Sequence, residues 1–188
     1  NQQSIERREV FWNQVNAYGK GAIHYAETGE RVDGSAWKTV LAFYQASQLW
    51  QWVTSDSTYQ EMRSGGELGL IRDQDLRDRL SQYYLENGSG TAYLFMMQPE
   101  YRKLVRGLTP SLVADHIWAE CWQQPRPAEQ YLLECDSPVS EAQAQAVLAG
   151  YMKDPELLKE LRFWVANQGV ALAAIGNYKP ILRDMLAR

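Results

Sequence analysis

The sequence has few of the residues that usually build reactive or metal-binding sites. Its 188 residues include only two cysteines and two histidines. A domain held together by many disulfides is therefore excluded, and a chain of this length can bury a core of its own. Its basic residues are scattered and the formal net charge is -4. Because binding to a phosphate backbone needs a clustered basic surface, nucleic acid is not an expected partner.

Long apolar runs and catalytic signatures are also missing. The most apolar stretch, residues 169–176, is far shorter than the roughly 20 residues that a membrane-spanning helix needs. The sequence has no nucleophile elbow, Walker loop, dinucleotide fingerprint or HExxH motif. We therefore expect no cofactor, no bound metal and no catalytic residues.

Apolar side chains recur at alternating steps of three and four residues in three long segments. The first covers residues 4–27, the second runs from the N-cap Ser35 to about residue 53, and the third starts at Asp154. No run alternates strictly as a half-buried strand does. The sequence predicts an all-α fold: a single domain over 1–188, a bundle of about seven or eight helices with long first and last helices and mostly antiparallel neighbours.

Shorter helices are predicted between these segments, at 57–64, 74–86, 90–107, 110–122 and 140–152. Asp73 and Ser140 are the expected N-caps of the second and last of them. Pro180 predicts a kink or a break in the final helix, because proline removes a backbone donor and its ring clashes with the preceding turn. Residues 123–138, with three prolines, are expected to be irregular.

The two cysteines, Cys121 and Cys135, allow a single intramolecular pairing. A bridge would stabilise the fold by about 3 kcal/mol on the chain-entropy model. The alternative is a pair of small buried side chains in a reducing compartment. The spacing excludes a CxxC motif, and the residues alone leave both alternatives open.

Each of the two histidines has a carboxylate one turn away on its predicted helix. His24 precedes Glu27, and His116 precedes Glu120. These spacings could orient a base or hold a metal, but a carboxylate-bridged bundle needs several inward-facing glutamates and two Glu-x-x-His motifs. We therefore interpret both histidines as surface or capping residues.

Aromatic residues are the least ordinary feature, with seven tryptophans and eleven tyrosines. Most should lie in the core, because large rings dominate burial in a bundle of this size. Trp50 and Trp52 should point to opposite sides of their helix end, and Trp118 and Trp122 stand one turn apart. These four form a possible aromatic binding surface or pocket lining.

One segment, residues 57–84, carries a more specific pattern. A helix with Tyr-x-Glu leads into a small-residue turn, a Leu-x-Leu-Ile strip, and an Asp-capped Leu-Arg helix that ends in Tyr-Tyr. The residues that carry it are Tyr59, Glu61, Gly65, Gly66, Leu70, Ile71, Asp73, Leu76, Arg77, Tyr83 and Tyr84. The order resembles a family of uncharacterised bacterial proteins that join one N-terminal membrane-spanning helix to a helical domain outside the cytoplasm.

The resemblance implies a location and an attachment. A transmembrane helix would precede residue 1 and tether the domain on the periplasmic side of the inner membrane. An oxidising compartment in turn favours a Cys121–Cys135 disulfide.

The motif also has a purely structural interpretation. Tyr59 should pack one face of its helix, and Gly65 and Gly66 allow the positive φ of a sharp reversal. Leu70 and Ile71, with Leu68, would then fill the core before the Asp73 cap. A structural role is favoured over a ligand site.

The leading hypothesis is a non-enzymatic, extracytoplasmic interaction or sensing module, whose partner is another protein or a second copy of the chain. The first alternative is a small-molecule binding domain with an aromatic pocket lined by some of the four tryptophans. The second is a hydrolase or metal enzyme that uses His116, Glu120 or His24.

Overall fold

A computed structural model describes residues 2–50, 56–86, 98–126 and 129–187. The described part contains eight α-helices and one two-stranded sheet, which makes the fold mainly helical, as predicted. The helices are α1 (Gln2–Thr28), α2 (Ala36–Gln45), α3 (Ser57–Ser64), α4 (Gln74–Glu86), α5 (Glu100–Leu108), α6 (Ser111–Glu120), α7 (Glu141–Tyr151) and α8 (Pro155–Ala187). Strands β1 (Trp122–Arg126) and β2 (Glu129–Leu132) pair antiparallel between α6 and α7.

Polar side chains begin the helices where the sequence predicts caps. Ser35 Oγ accepts from the backbone of Lys38, and Ser140 forms a full capping box with Gln143. Asp73 Oδ1 accepts from the backbone of Leu76 at 3.1 Å. These caps satisfy backbone N–H groups that have no partner within their own helix.

The two long helices, α1 and α8, run antiparallel along each other. Glu9 near the start of α1 pairs with Lys179 near the end of α8, whereas Glu27 at the end of α1 pairs with Arg162. Helix α1 also lies antiparallel to α2 and the segment after it, because contacts move back along α1 as the chain advances. Tyr25 meets Phe43, Gly19 faces Ala46 and Phe11 meets Trp50. These pairs confirm the predicted antiparallel arrangement.

Helices α2 and α7 are an exception to that arrangement. Ser35 at the start of α2 bonds to Glu141 at the start of α7, and Phe43 near the end of α2 lies against the ring of Tyr151 at the end of α7. The two helices therefore run parallel. Aromatic rings fill the core, as predicted, and the largest fully buried ones are Phe11, Trp12, Phe43, Tyr44, Tyr83, Tyr101 and Tyr151.

The expectation of an irregular segment at 123–138 was partly wrong, since β1 and β2 form a hairpin there. Its register shifts between Gln123 and Arg126, and β1 exposes four of its five residues. A short strand that contains Pro125 and is mostly exposed to solvent shows no clear two-residue alternation of apolar and polar side chains. The sequence pattern therefore missed it.

Two further boundaries differ from the prediction. Helix α2 ends at Gln45 rather than near residue 53, because Ser47 bonds through both its backbone N–H and its hydroxyl to the carbonyl of Tyr44. Trp50 is consequently not on a helix, and Trp52 lies outside the described residues. Helix α8 runs to Ala187 without the break that was one of the two outcomes predicted at Pro180.

Candidate functional site

The predicted disulfide between Cys121 and Cys135 is present and lies where several elements meet. Cys121 follows the last turn of α6 and is fully buried, and Cys135 comes three residues after β2. The Cys121 carbonyl accepts from the side-chain amide of Gln45 at 2.8 Å, and the Cys135 carbonyl accepts from Trp37 Nε1 at 2.9 Å. The bond therefore joins α6 to the segment after the hairpin, and α2 holds both ends of it.

His116 lies beside this disulfide. One ring nitrogen of His116 and the two sulfur atoms are all within 4.8 Å of one another. With the sulfurs bonded to each other, neither is a thiolate, which is the form that attacks a substrate or ligates a metal. The His116 ring also contacts Trp37 edge-on, and its Nε2 lies 2.7 Å from the carbonyl of Asp136.

The proposed histidine–carboxylate pairs do not form as hydrogen bonds in the described structure. His24 Nε2 lies 3.1 Å from Glu30 rather than beside Glu27, whose carboxylate pairs with Arg162 instead. Both His24 and Glu30 are largely exposed. This is an exposed side-chain contact of the kind that contributes little to stability.

A cluster of polar and aromatic side chains lies between α5, α6 and the end of α2. We call it the arginine cluster, and it consists of Tyr44, Ser47, Gln48, Arg102, Arg106 and Trp118. The Arg102 guanidinium donates through Nη1 to the carbonyl of Ser47. Arg106 donates through Nε to the Ser47 hydroxyl at 3.2 Å and through Nη2 to Gln48 Oε1 at 3.0 Å.

Two aromatic rings hold the Arg106 guanidinium. Its central carbon lies 4.9 Å from the ring centre of Tyr44 and 4.9 Å from that of Trp118. Such cation–π contacts are stronger where water is excluded, and both arginines are half-buried. The rings fix the plane of the guanidinium, so the directions of its remaining N–H groups are also fixed.

The charges of the arginine cluster are not balanced by carboxylates. Neither Arg102 nor Arg106 forms an ion pair with any residue in the described ranges. Burial, and then the neighbouring charge of Arg106, lower the pKa of Arg102 to about 10. Burial also lowers the pKa of Arg106. Both shifts mark a place where positive charge is held at an energetic cost.

Gln48 adds an unsatisfied donor to the same cluster. Its side chain is only 2% exposed, and while Oε1 accepts from Arg106, its Nε2 has no hydrogen-bond partner among the described residues. A buried amide donor without a partner costs about 1–3 kcal/mol. Such groups are rare in native structures and call for a physical explanation.

Of the four tryptophans proposed as a binding surface, Trp52 lies outside the described residues and the other three do not come together. Trp118 and Trp122 form an edge-to-face pair with centroids 5.0 Å apart, and both are half-buried. Trp50 is buried elsewhere, against Phe11 on one side and the Arg8 guanidinium on the other. Trp118 and Trp122 therefore remain as the aromatic surface, now adjoining Arg106.

Two cavities are lined in part by Gln14 of α1. One has a volume of about 260 Å³ and is lined by residues that include Tyr18 and Glu134. The other, of about 140 Å³, is lined by Trp50, Arg7 and Glu129 among others. Both volumes are below the 300–1,000 Å³ typical of small-molecule sites. Of the four tryptophans, Trp50 lines the smaller of these two cavities.

The family-like motif forms a local structural unit. Tyr59 stacks on Tyr84 with centroids 4.4 Å apart, and Tyr83 meets Tyr84 edge-on. Arg77 donates to the carbonyl of Ile71 at 2.7 Å, which closes the segment between α3 and α4. Leu76 supplies the backbone N–H that Asp73 caps, and Glu61 is exposed.

Two details of the motif were predicted wrongly. Only Gly66 has a positive φ, of 72°, while Gly65 closes α3 in the helical region. Leu70 is 76% exposed, and Leu68 and Ile71 are half-buried, so this strip does not fill the core. The strip forms a single turn of 3-10 helix over Glu67–Leu70, and a turn that short leaves part of its side chains facing water.

Comparison with known proteins finds no matching family model, no similar curated protein and no similar solved structure. Among the described residues, no helix combines the length and the apolar character needed to cross a membrane. The geometry of the molecule itself therefore has to carry the functional argument.

The arginine cluster was not predicted from the sequence, although a signal was present. Arg102 and Arg106 are four residues apart, and neither has an acidic residue three or four positions away. Like charges at that spacing repel each other on a helix. Two basic residues at this spacing without an acidic neighbour, close to Trp118 in the next helix, are therefore a sequence signal for such a cluster.

Proposed function

We propose that the chain is the extracytoplasmic, non-enzymatic part of a bacterial membrane-anchored protein, and that it acts as an interaction or sensing module. The observation that carries the proposal is the Cys121–Cys135 disulfide. Disulfides persist in oxidising compartments and are rare in the cytosol of mesophiles. The hydrogen bonds that Trp37 and Gln45 donate to the two cysteine carbonyls tie this bond to α2, so it is part of the fold.

The proposal assigns no catalysis to the domain. This is supported by the partners of the candidate catalytic groups. The cysteines are bonded to each other, His116 lies against a backbone carbonyl, and His24 pairs with an exposed glutamate.

The full-length gene product, expressed in a bacterium, tests the proposal. We expect it to fractionate with the inner membrane, to be digested when protease is added to spheroplasts, and to resist alkylation of its cysteines unless first reduced. A Cys121→Ser/Cys135→Ser variant provides the matched control, because it should reach the same fraction and give no labelling in either state. A product that is protected from protease and carries two reactive thiols would contradict the proposal.

A further inference from the structure

From the arginine cluster we infer a binding site for a phosphoryl group, held by Arg102, Arg106 and the side-chain amide of Gln48. The inference goes beyond the proposed function and does not depend on it, since the site could operate in any compartment.

The positive charges of the cluster are not fully balanced by negative charge. Both guanidinium groups lie at the end of α2, where Arg102 bonds to the Ser47 carbonyl. A helix C-terminus carries a partial charge of about -0.5, which offsets only a quarter of two positive charges. In the described part of the chain no carboxylate pairs with either arginine. The site therefore lacks more than one unit of negative charge.

Several N–H donors of the cluster make no hydrogen bond to a described residue. Arg102 uses only Nη1, so its Nε–Nη2 edge makes no hydrogen bond to a described residue. Arg106 uses Nε and Nη2, which leaves Nη1. Gln48 adds the buried Nε2, whose partner atom Oε1 is already fixed by Arg106. These groups are all donors, and a ligand that satisfies them must consist of acceptors.

The missing negative charge and the remaining donors together indicate which ligand fits the site. A phosphate group carries about -1.5 to -2 charges at pH 7 and presents three strong acceptor oxygens. Arginine binds such oxygens in a bidentate manner through its planar fork. A single carboxylate would leave about half a positive charge uncompensated. The charge and the number of donors therefore favour a phosphoryl group, either on a soluble molecule or in a lipid headgroup.

The rings of Tyr44 and Trp118 prepare the site for this ligand. They hold the Arg106 guanidinium from its faces, and the ligand would bind at its edge. A guanidinium that is already oriented loses less entropy on binding. Trp122, edge-on to Trp118, adds apolar surface beside the site.

The test is a titration of the 188-residue chain with inorganic phosphate, followed by calorimetry and by the NMR signals of the arginine side chains. Chloride at matched ionic strength is the reference. We expect saturable binding, a shift of the Arg102 Nε–H signal and a higher melting temperature with phosphate than with chloride. No saturable response up to about 20 mM, well above a millimolar dissociation constant, would overturn the inference.

Two variants separate this site from a general effect of charge. Arg102→Gln should weaken phosphate binding by about tenfold or more, as expected when one charge-assisted pair is removed. Lys103→Gln removes the same charge from the next position of α5, where Lys103 is exposed and pairs with Glu100, and should change nothing. Equal losses in the two variants would overturn the inference.

A third variant keeps the test decisive if Arg102→Gln does not fold. Gln48→Glu places a carboxylate next to Arg106 and so supplies the missing negative charge internally. We expect this variant to melt at a higher temperature than the wild type in chloride and to respond no further to phosphate. A phosphate response as large as that of the wild type would contradict the assigned site.

The source of the phosphoryl group is decided by a vesicle experiment. Vesicles of phosphatidylcholine with phosphatidic acid, in the presence and absence of inorganic phosphate, are sedimented with the wild type and with Arg102→Gln. Binding that needs Arg102 and is displaced by phosphate indicates a lipid headgroup. Response to free phosphate without vesicle binding indicates a soluble phosphorylated ligand, and both results support the phosphoryl site.

Discussion

Ser35 and Glu141 are 106 residues apart in the chain, and the Ser35 hydroxyl donates to Glu141 Oε1 at 2.8 Å. The other carboxylate oxygen of Glu141 accepts from the backbone N–H of Ala36, also at 2.8 Å. Glu141 belongs to the first turn of α7, yet it caps the first turn of α2. One side chain thus fixes the common starting point of two parallel helices.

This cap makes stability depend on pH. The hydrogen bond from the Ala36 backbone, followed by that from Ser35, lowers the pKa of the Glu141 carboxyl. A carboxyl whose pKa is lowered by folding stabilises the protein above its unfolded pKa of about 4.3, and this contribution is lost as the pH falls through the lower folded value. The melting temperature of the wild type should therefore exceed that of Glu141→Gln at pH 7, with a smaller difference near pH 3. A difference that does not change with pH would contradict the assignment.

Removal of the disulfide should lower stability without changing the fold. The bond closes a loop with a sequence separation of 14, for which the chain-entropy model gives about 3 kcal/mol. We expect Cys121→Ser/Cys135→Ser to lose about 2–4 kcal/mol in urea unfolding. Wild-type protein in reductant is the control and should show a similar loss. A loss below about 1 kcal/mol would show that the hairpin and α6 hold this region without the bond.

A substitution at Tyr101 tests the packing of α5 against α2. Tyr101 is fully buried, and its hydroxyl donates to the carbonyl of Phe43 at 2.6 Å. Tyr101→Phe removes the donor and leaves a buried carbonyl unsatisfied, which costs about 1–3 kcal/mol. Tyr131→Phe makes the same change at a residue that is 43% exposed and should cost nothing measurable by urea unfolding. Equal stabilities of the two variants would refute the buried hydrogen bond.

The helical architecture could be predicted from the sequence because its determinants are local. Ser35, Asp73 and Ser140 bond to backbone groups three residues ahead, and such contacts are visible as spacing. The early end of α2 was not predicted, since it depends partly on the distant Trp164, whose Nε1 donates to the carbonyl of Ala46. Tertiary contacts of this kind leave no local pattern.

The candidate site was harder to predict than the fold. Its members come from the end of α2, from α5 and from α6, so about 60 residues separate Gln48 from Arg106. Trp118 and Trp122 could be identified from the sequence as members of a tryptophan group, whereas the basic residues look scattered along the chain. The site depends on two of those residues lying next to each other without an acidic neighbour.

The contact between α1 and α8 provides the last prediction. Gly19 is buried at this interface, and a Cβ atom there would lie 2.4 Å from Cγ2 of Val165, too close for two carbon atoms. Gly19→Ala should therefore destabilise the protein by about 1–3 kcal/mol, despite the higher helix propensity of alanine. Gly169→Ala is the matched control in α8, where a Cβ would meet nothing within 4 Å, and it should stabilise by about 0.5–1 kcal/mol. Urea unfolding measures both. If Gly19→Ala gained stability as Gly169→Ala does, the close approach of the two longest helices would be contradicted. The packing that brings Val165 and Trp164 against the end of α2 would then be contradicted as well.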